Sequence, residues 1–85
     1  MKSELELWCD RICSKPNVEL WKLEDDGKGN ELFQLKEKYG DGKPYYFYTD
    51  PYYYIWSNDK MIDVIKDYRM AYAIYKERVR ERYVG

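Results

Sequence analysis

Histidine is absent from the 85-residue chain, which removes the most common general base and a frequent metal ligand. Serine–histidine and cysteine–histidine nucleophiles are therefore excluded. Cysteine is also scarce, since only Cys9 and Cys13 occur. Two cysteines are too few for a secreted disulfide framework, and without histidine they do not complete a zinc site. We expect two structural thiols, no metal and no cofactor.

The chain also lacks a phosphate-binding glycine motif and any apolar run long enough to span a membrane. Its N-terminus, MKSELELW, mixes acids with apolar residues and is unlike a signal peptide. The acids at 24–26 fall in a predicted loop, where carboxylates are normally solvated rather than catalytic. These absences predict a cytoplasmic protein that is not an enzyme, with no membrane partner and no small-molecule substrate.

Neither sign of charge dominates, because 15 basic side chains face 16 acidic ones and the net charge is −1. The chain therefore has no overall field that attracts nucleic acid or anionic lipid, and any such binding would need a local patch. Its length fits a single domain, residues 1–85, which buries only about 60–65% of its unfolded surface.

Aromatic residues are what the chain has in excess. Eleven tyrosines accompany two phenylalanines and three tryptophans, and eight of these sixteen rings fall in PYYFYTDPYYYIW, residues 44–56. A tyrosine ring buries a large area but needs a partner for its hydroxyl, so it favours sites that are apolar at one end and wet at the other. Binding surfaces use tyrosine heavily for the same reason.

The first segment, residues 4–14, is predicted to form a short helix. Ser3 and Glu6 have the spacing of a capping box, and Pro16 ends the helix near Ser14. Its apolar stripe consists of Leu5, Trp8, Cys9 and Ile12. This stripe requires another element to cover it.

Two apolar runs, 18–24 and 31–39, flank the glycine-containing segment 25–30 and are predicted to form a β-hairpin. The first run alternates poorly, since Leu20, Trp21 and Leu23 fall on both faces. A β-bulge or burial on both faces would explain that. Residues 44–49 are predicted to form a third strand. The segment 51–56 follows a helix-start signal at Asp50 and is either one or two helical turns or an irregular bridge.

A long helix is predicted for residues 58–82, with Ser57, Asn58 and Asp59 supplying its cap. Its apolar stripe is Met61, Ile65, Tyr68, Tyr72, Tyr75 and Val79. The predicted fold is therefore α+β: a short N-terminal helix, a three-stranded antiparallel sheet and a long C-terminal helix packed on the sheet. We expect both helices to cover one face of that sheet.

The candidate binding residues follow from the size of the core. A thin core with hydroxyls at its margin explains most of the rings, but it cannot bury all sixteen. The rings expected to be exposed for a partner are Tyr52, Tyr53, Tyr54 and Trp56. Met70 and Ile74 lie one turn apart on a second flank of the long helix, either as scattered surface residues or as the seam of a dimer or partner site.

The basic end of the long helix offers a second candidate. Lys76, Arg78 and Arg82 would contact phosphates or an acidic partner, or would simply be solvated and complement the helix dipole.

The favoured function is non-catalytic binding of a protein partner, or of a second copy as a homodimer, through the tyrosine- and tryptophan-rich surface. Small chains without catalytic residues are typical of bacteriophage or mobile-element accessory proteins, including inhibitors of host enzymes. The alternative is a nucleic-acid-binding domain that stacks bases on exposed rings and contacts the backbone with residues 76–82.

Overall fold

In a computed structural model of the protein, residues 1–42 and 45–84 are described, with side chains for residues 1–40 and 47–81. These residues form an α+β fold, as predicted. The elements are α1 (Glu4–Cys13), β1 (Val18–Asp25), β2 (Asn30–Gly42), β3 (Tyr45–Tyr48), β4 (Tyr52–Ser57), β5 (Lys60–Ile65) and α2 (Tyr68–Val84). The predicted number of three strands is wrong, because five are present within the described residues. The Pro44 start predicted for the third strand lies outside them.

The sheet is an antiparallel meander in the order β1–β2–β4–β5, and β3 pairs with the last part of the long strand β2. Thr49, between β3 and β4, stays bonded to β2. Its N–H donates to the Glu37 carbonyl (2.8 Å), and its hydroxyl accepts from the Glu37 N–H (2.9 Å). β3 and β4 therefore lie along the same edge of β2 as one interrupted strand, so the sheet is four strands wide.

The two helices pack on opposite faces of the sheet, so the expectation that they share one face is wrong. Adjacent residues of a strand point to opposite faces, and in β2 both faces are apolar. Leu32 is buried in the core beneath α2, whereas the next residue, Phe33, is buried beside Trp8 of α1. β4 alternates in the same way, with Ile55 beneath α2 and Trp56 beneath α1.

Residues 51–56 are neither helical nor irregular, since 52–57 form the central strand β4. Aromatic and β-branched side chains fit a pleated, buried surface better than a helix. The proline at 51 precedes the strand, where its missing N–H costs no ladder bond. Here the β-propensity of the aromatic run overrides the helix-start signal of Asp50 and Pro51.

The long helix is shorter than predicted, because residues 60–65 form β5 and α2 begins at Tyr68. Asn58 and Asp59 both have positive φ (51° and 62°) and lie between the paired residues Ser57 and Lys60. This is the geometry of a two-residue type I′ hairpin turn, so these residues form a turn and do not cap α2. The true cap is Asp67, whose carboxylate accepts from the Arg69 N–H (2.9 Å).

Three local predictions are confirmed. The first helix is present as α1, and the Ser3 hydroxyl accepts from the Glu6 N–H at 3.2 Å. The first two strands form a hairpin. A bulge between Lys22 and Glu24 leaves Leu23 without a cross-strand partner, which accounts for the irregular pattern of β1.

α1 is joined to the β4–β5 turn at its N-terminus. The Asp59 carboxylate accepts from the backbone N–H groups of Glu4 (3.0 Å) and Leu5 (2.9 Å). These are among the N–H groups that a helix leaves without an internal partner. Asp59 therefore orients α1 across the sheet face on which Trp8 packs.

We expect Ile55→Ala to lower the free energy of unfolding by roughly 2–5 kcal/mol, because this fully buried side chain would leave a cavity beneath α2. Tyr68→Ala is the matched control, since its ring is nearly half exposed and its loss should cost about 1 kcal/mol or less. Urea denaturation monitored by circular dichroism measures both. Equal unfolding midpoints for Ile55→Ala and the wild type would contradict this core.

A second prediction concerns Asp59, whose pKa lies below its ordinary value of 3.8 because its carboxylate accepts hydrogen bonds from the backbone N–H of Leu5 and then of Glu4. Since the folded-state pKa is lowered, this group stabilises the fold above the unfolded-state pKa, and the contribution is lost as pH falls through the folded-state pKa.

Asp59→Asn removes the charge while asparagine still tolerates positive φ. We expect a lower urea midpoint than the wild type at neutral pH, and a difference that shrinks as the pH falls below the ordinary pKa of aspartate and through the lowered folded-state pKa. A difference that is the same at every pH would show that the charge of Asp59 has no part in capping α1.

Candidate interaction surfaces

Three of the four rings expected to be exposed on residues 52–56 are covered by helices. Tyr53 and Trp56 are buried, with 7% and 4% of their surface exposed, and Tyr54 is half-buried. The expectation that these rings face solvent is therefore wrong for Tyr53 and Trp56. They lie on the strand that both helices cover, and only Tyr52, at its start, is exposed.

Trp56 contributes to the core beneath α1. Its ring centroid lies 5.3 Å from that of Trp8, which also contacts Phe33 and Tyr54 at 5.4 and 5.0 Å. The indole N–H of Trp56 is buried and makes no hydrogen bond within the described residues. Such an unpaired donor is a local energetic cost, offset here by the contacts among four aromatic rings.

Met70 and Ile74 do not join Tyr52 in one surface. Met70 is exposed on α2, while Ile74 is half-buried and packs against the core beneath that helix. Tyr52 lies on the other face of the sheet, because it neighbours Tyr53 of the α2 core along the strand. The predicted binding residues are therefore divided between two faces.

The basic end of α2 is exposed, but its cations have local partners. The Lys76 ammonium lies 5.6 Å from the centre of the Tyr72 ring, and Arg78 forms an ion pair with Glu81 at 3.4 Å. The side chain of Arg82 lies outside the described residues. Burial, and then the carboxylates of the neighbouring β1–β2 loop, raise the pKa of Tyr75 to about 12. The basic helix end is thus close to an acidic loop.

One exposed surface on the α2 side of the sheet is formed where α2 does not extend. We call it the Trp21 face, and it consists of Glu19, Trp21, Gln34, Lys36, Tyr48 and Tyr68. Trp21 pairs across the strands with Gln34, and Glu19 pairs with Lys36. The rings of Trp21 and Tyr48 are 56% and 46% exposed. Three neighbouring strands thus present two large rings to solvent, with Lys36 and Lys38 of β2 beside them.

Glu19 holds the two rings in place. Its carboxylate accepts hydrogen bonds from the Tyr48 hydroxyl and from Trp21 Nε1, the latter at 3.1 Å. These two bonds lower the pKa of Glu19, because they favour its charged form. The Lys36 ammonium lies 5.3 Å from the centre of the Tyr48 ring. Each of the two exposed rings therefore has a polar partner within the face.

The Trp21 face continues towards α2. Gln34 Nε2 donates to the Tyr53 hydroxyl at 3.2 Å, and the Tyr53 ring lies 5.4 Å from that of Tyr68. Tyr68 is partly exposed at the start of α2. The surface therefore runs from the edge strand β1 across the sheet to the first turn of the helix.

A second exposed surface lies on the α1 side of the sheet. We call it the Phe47 face, and it consists of Tyr39, Phe47, Tyr52 and Val64, together with Glu37 and Lys66. Tyr39 and Phe47 stack at 5.6 Å across the β2–β3 hairpin and are 56% and 55% exposed. Lys66 Nζ lies 5.1 Å from the centre of the Tyr52 ring. Glu37 lies on β2 between Leu35, which pairs with Tyr52, and Tyr39, so this face contains a carboxylate.

Sequence reasoning missed Trp21, Tyr48, Tyr39 and Phe47 because it assigned the exposed rings to residues 52–56. A signal was present in β1, where the poor alternation already placed Trp21 opposite the face of Leu20. Tyr39 and Phe47 lie beyond both helices because β2 extends past the part of the sheet that the helices cover. The local sequence pattern does not indicate how far it extends.

The remaining chemistry is sparse. Burial raises the pKa of the half-buried Cys9 thiol, and Cys13 is exposed. No cluster of cysteine and acidic side chains suited to a metal ion occurs in residues 1–40 and 47–81. Within the described part of the chain, neither helix has the length and hydropathy needed to cross a bilayer.

No protein-family model, curated protein or solved structure matches the chain. Its function therefore has to be argued from the two surfaces.

Proposed function

We propose that the protein is a non-catalytic binding protein that docks on another protein through the Trp21 face. The observation that carries the proposal is the pair of exposed rings, Trp21 and Tyr48, held by the Glu19 carboxylate. Tryptophan and tyrosine dominate the binding energy of protein interfaces. An accessory or inhibitory role towards a larger protein is consistent with a small chain of this kind.

The polar partners of these rings within the face support binding as their role. A side chain that is already ordered loses little entropy when a partner covers it, and this raises affinity. An exposed tryptophan ring on an edge strand also contributes little to the stability of the domain itself. The arrangement therefore indicates that Trp21 and Tyr48 contribute to docking and not to the stability of the domain.

The chemistry of the face indicates the kind of partner. Lys36 and Gln34 supply donors between the two rings, and Glu19 already uses its carboxylate within the face. A partner surface with apolar pockets for the rings and acceptors or a carboxylate opposite Lys36 would complement it.

Nucleic-acid binding, the alternative predicted from sequence, has weaker support. It combines exposed rings with the basic residues 76–82, and these are separated in the fold. Arg78 is ten residues along α2 from Tyr68, or about 15 Å at ~1.5 Å per residue. It is also on the side of the acidic β1–β2 loop that perturbs Tyr75. One continuous track for a nucleic-acid backbone is therefore not formed by these residues.

The test uses the tagged full chain to capture partners from a lysate of the cells that produce it, with and without nuclease. We expect one discrete protein to be retained by the wild type, and Trp21→Ala and Tyr48→Ala each to weaken its affinity by about tenfold or more. Met70→Ala is the matched control, because Met70 is exposed on α2 outside both faces and should leave affinity unchanged. The purified partner then gives dissociation constants by calorimetry.

Circular dichroism and urea midpoints check that each variant remains folded. Undiminished affinity in both Trp21→Ala and Tyr48→Ala would contradict the Trp21 face as the docking site. Capture that nuclease abolishes, with affinity falling steeply as salt is added, would instead support the nucleic-acid alternative. If Met70→Ala weakened binding and the ring variants did not, the surface on α2 predicted from sequence would be the site.

A further inference from the structure

We propose that the part of the partner that binds the Trp21 face is a short proline-rich segment in the polyproline II conformation. This inference deepens the proposed function and rests on the Trp21 face as the docking site. The two can fail separately, because a folded partner can dock on the same rings without any such segment.

The size of the Trp21 face fits a short segment. Trp21 pairs with Gln34, which pairs with Tyr53 on β4. The Tyr53 ring in turn lies 5.4 Å from that of Tyr68. With about 4.8 Å between neighbouring strands, Trp21 and Tyr68 lie roughly 15 Å apart, which about five residues of a polyproline II helix span at ~3.1 Å per residue. An interface between folded domains uses about 20–30 residues a side, far more than this face contains.

The backbone of the sheet indicates which conformation suits the segment. In the middle of β2, the N–H and C=O groups are bonded in the plane of the sheet to β1 and β4, so an occupant of the face meets side chains only. A β-strand lying there would leave its own N–H groups without partners. Proline has no N–H to leave unpaired, and the polyproline II helix needs no internal hydrogen bonds. A proline-rich segment therefore loses least on binding to this face.

Addition of a strand to the edge of the sheet is less suitable. β1, which carries Trp21, is an edge strand of the described sheet, but its pairing is interrupted by the bulge at Leu23. A bulge twists the edge and breaks the row of backbone groups that an added strand would need. Binding across the face is therefore favoured over strand addition.

The hydrogen-bonding groups of the face complement proline. The polar edges of both exposed rings are already used, because Trp21 Nε1 and the Tyr48 hydroxyl donate to Glu19. The rings therefore offer apolar surface, and proline-rich segments dock on aromatic-lined surfaces. Gln34 lies beside Trp21 and Lys36 beside Tyr48. Their N–H groups are donors for the carbonyl groups of the segment.

The charges of the face disfavour an acidic segment. Hydrogen bonds from Tyr48 and then from Trp21 lower the pKa of Glu19, so a carboxylate stays negative next to both rings at neutral pH. Acidic and phosphorylated segments are typically bound by clusters of arginine, whereas the cations described on and beside this face are Lys36 and Lys38. A segment that offers carbonyl acceptors and carries no charge therefore fits better.

The experiment is a nuclear magnetic resonance titration of the isotopically labelled full chain with acetylated and amidated decaproline. The three tryptophans give three indole N–H signals, and Trp8 and Trp56 are buried whereas Trp21 is exposed. We expect decaproline to shift the Trp21 signal and to leave the other two unchanged. An alternating glycine–serine decapeptide, which is flexible, and an alternating glutamate–glycine decapeptide, which is acidic, should bind at least about tenfold more weakly.

The variants place the binding on the face. Trp21→Ala and Tyr48→Ala should each raise the dissociation constant for decaproline by about tenfold or more, measured from backbone N–H shifts of β1 and β2. Phe47→Ala is the matched control, because it removes an equally exposed ring from the opposite side of the sheet and should leave the dissociation constant unchanged. Circular dichroism checks that each variant is folded.

A Trp21 signal that does not move in millimolar decaproline overturns the proposal. So does tighter binding of the acidic peptide, or a loss of binding in Phe47→Ala as large as in Trp21→Ala. If decaproline fails while Trp21→Ala still weakens the captured protein, the docking function stands and the proline-rich segment alone is refuted. Should either ring variant fail to fold, the three peptides and the three indole signals of the wild type still decide.

Discussion

The whole fold depends on one constraint, the two-residue alternation of the central strands β2 and β4. Because both strands are apolar on both sides, each face of the sheet needs a helix, and the described residues supply one for each face. Leu32 and Phe33 are neighbours in sequence but belong to different cores. Neither core is thick, so each depends on large rings, with Tyr53 and Tyr75 beneath α2 and Trp8 and Trp56 beneath α1. This accounts for the high aromatic content without requiring every ring to bind a partner.

The same constraint leaves surface uncovered. α2 does not extend over Trp21, and α1 does not extend over the stacked Tyr39 and Phe47 rings at the far end of β2. These two uncovered surfaces lie on opposite sides of the sheet, so a partner that binds one of them leaves the other exposed.

Local sequence signals correctly predicted the features of the fold that depend only on local backbone geometry. Ser3 as a cap and the hairpin of the first two strands were predicted because caps and turns are determined by a few neighbouring residues. The predicted helical stripe from Met61 to Val79 is confirmed from Tyr68 onwards, where it lies on α2, but Met61 and Ile65 lie on β5. The helical spacing of these two residues was a coincidence, whereas the β-branched Ile62, Val64 and Ile65, with the Asn58–Asp59 turn, determined a strand. The predicted exposure of the binding residues was wrong for another reason. Whether Tyr53 or Trp56 is exposed depends on which helix crosses β4, and the tertiary structure determines that.

The bonds from Asp59 to the start of α1 have a consequence for the order of folding. Each of these bonds joins two residues that are more than fifty positions apart in the chain: Glu4 is 55 positions from Asp59, and Leu5 is 54 positions from it. During synthesis, α1 therefore emerges from the ribosome before the strands. Its N-terminal cap cannot be completed until the β4–β5 turn has also emerged. The loop that must close is long, so its closure costs much conformational entropy. This cost falls once the intervening hairpins have formed and shortened the loop. α1, which precedes the strands in the chain, therefore receives this cap only after they have formed.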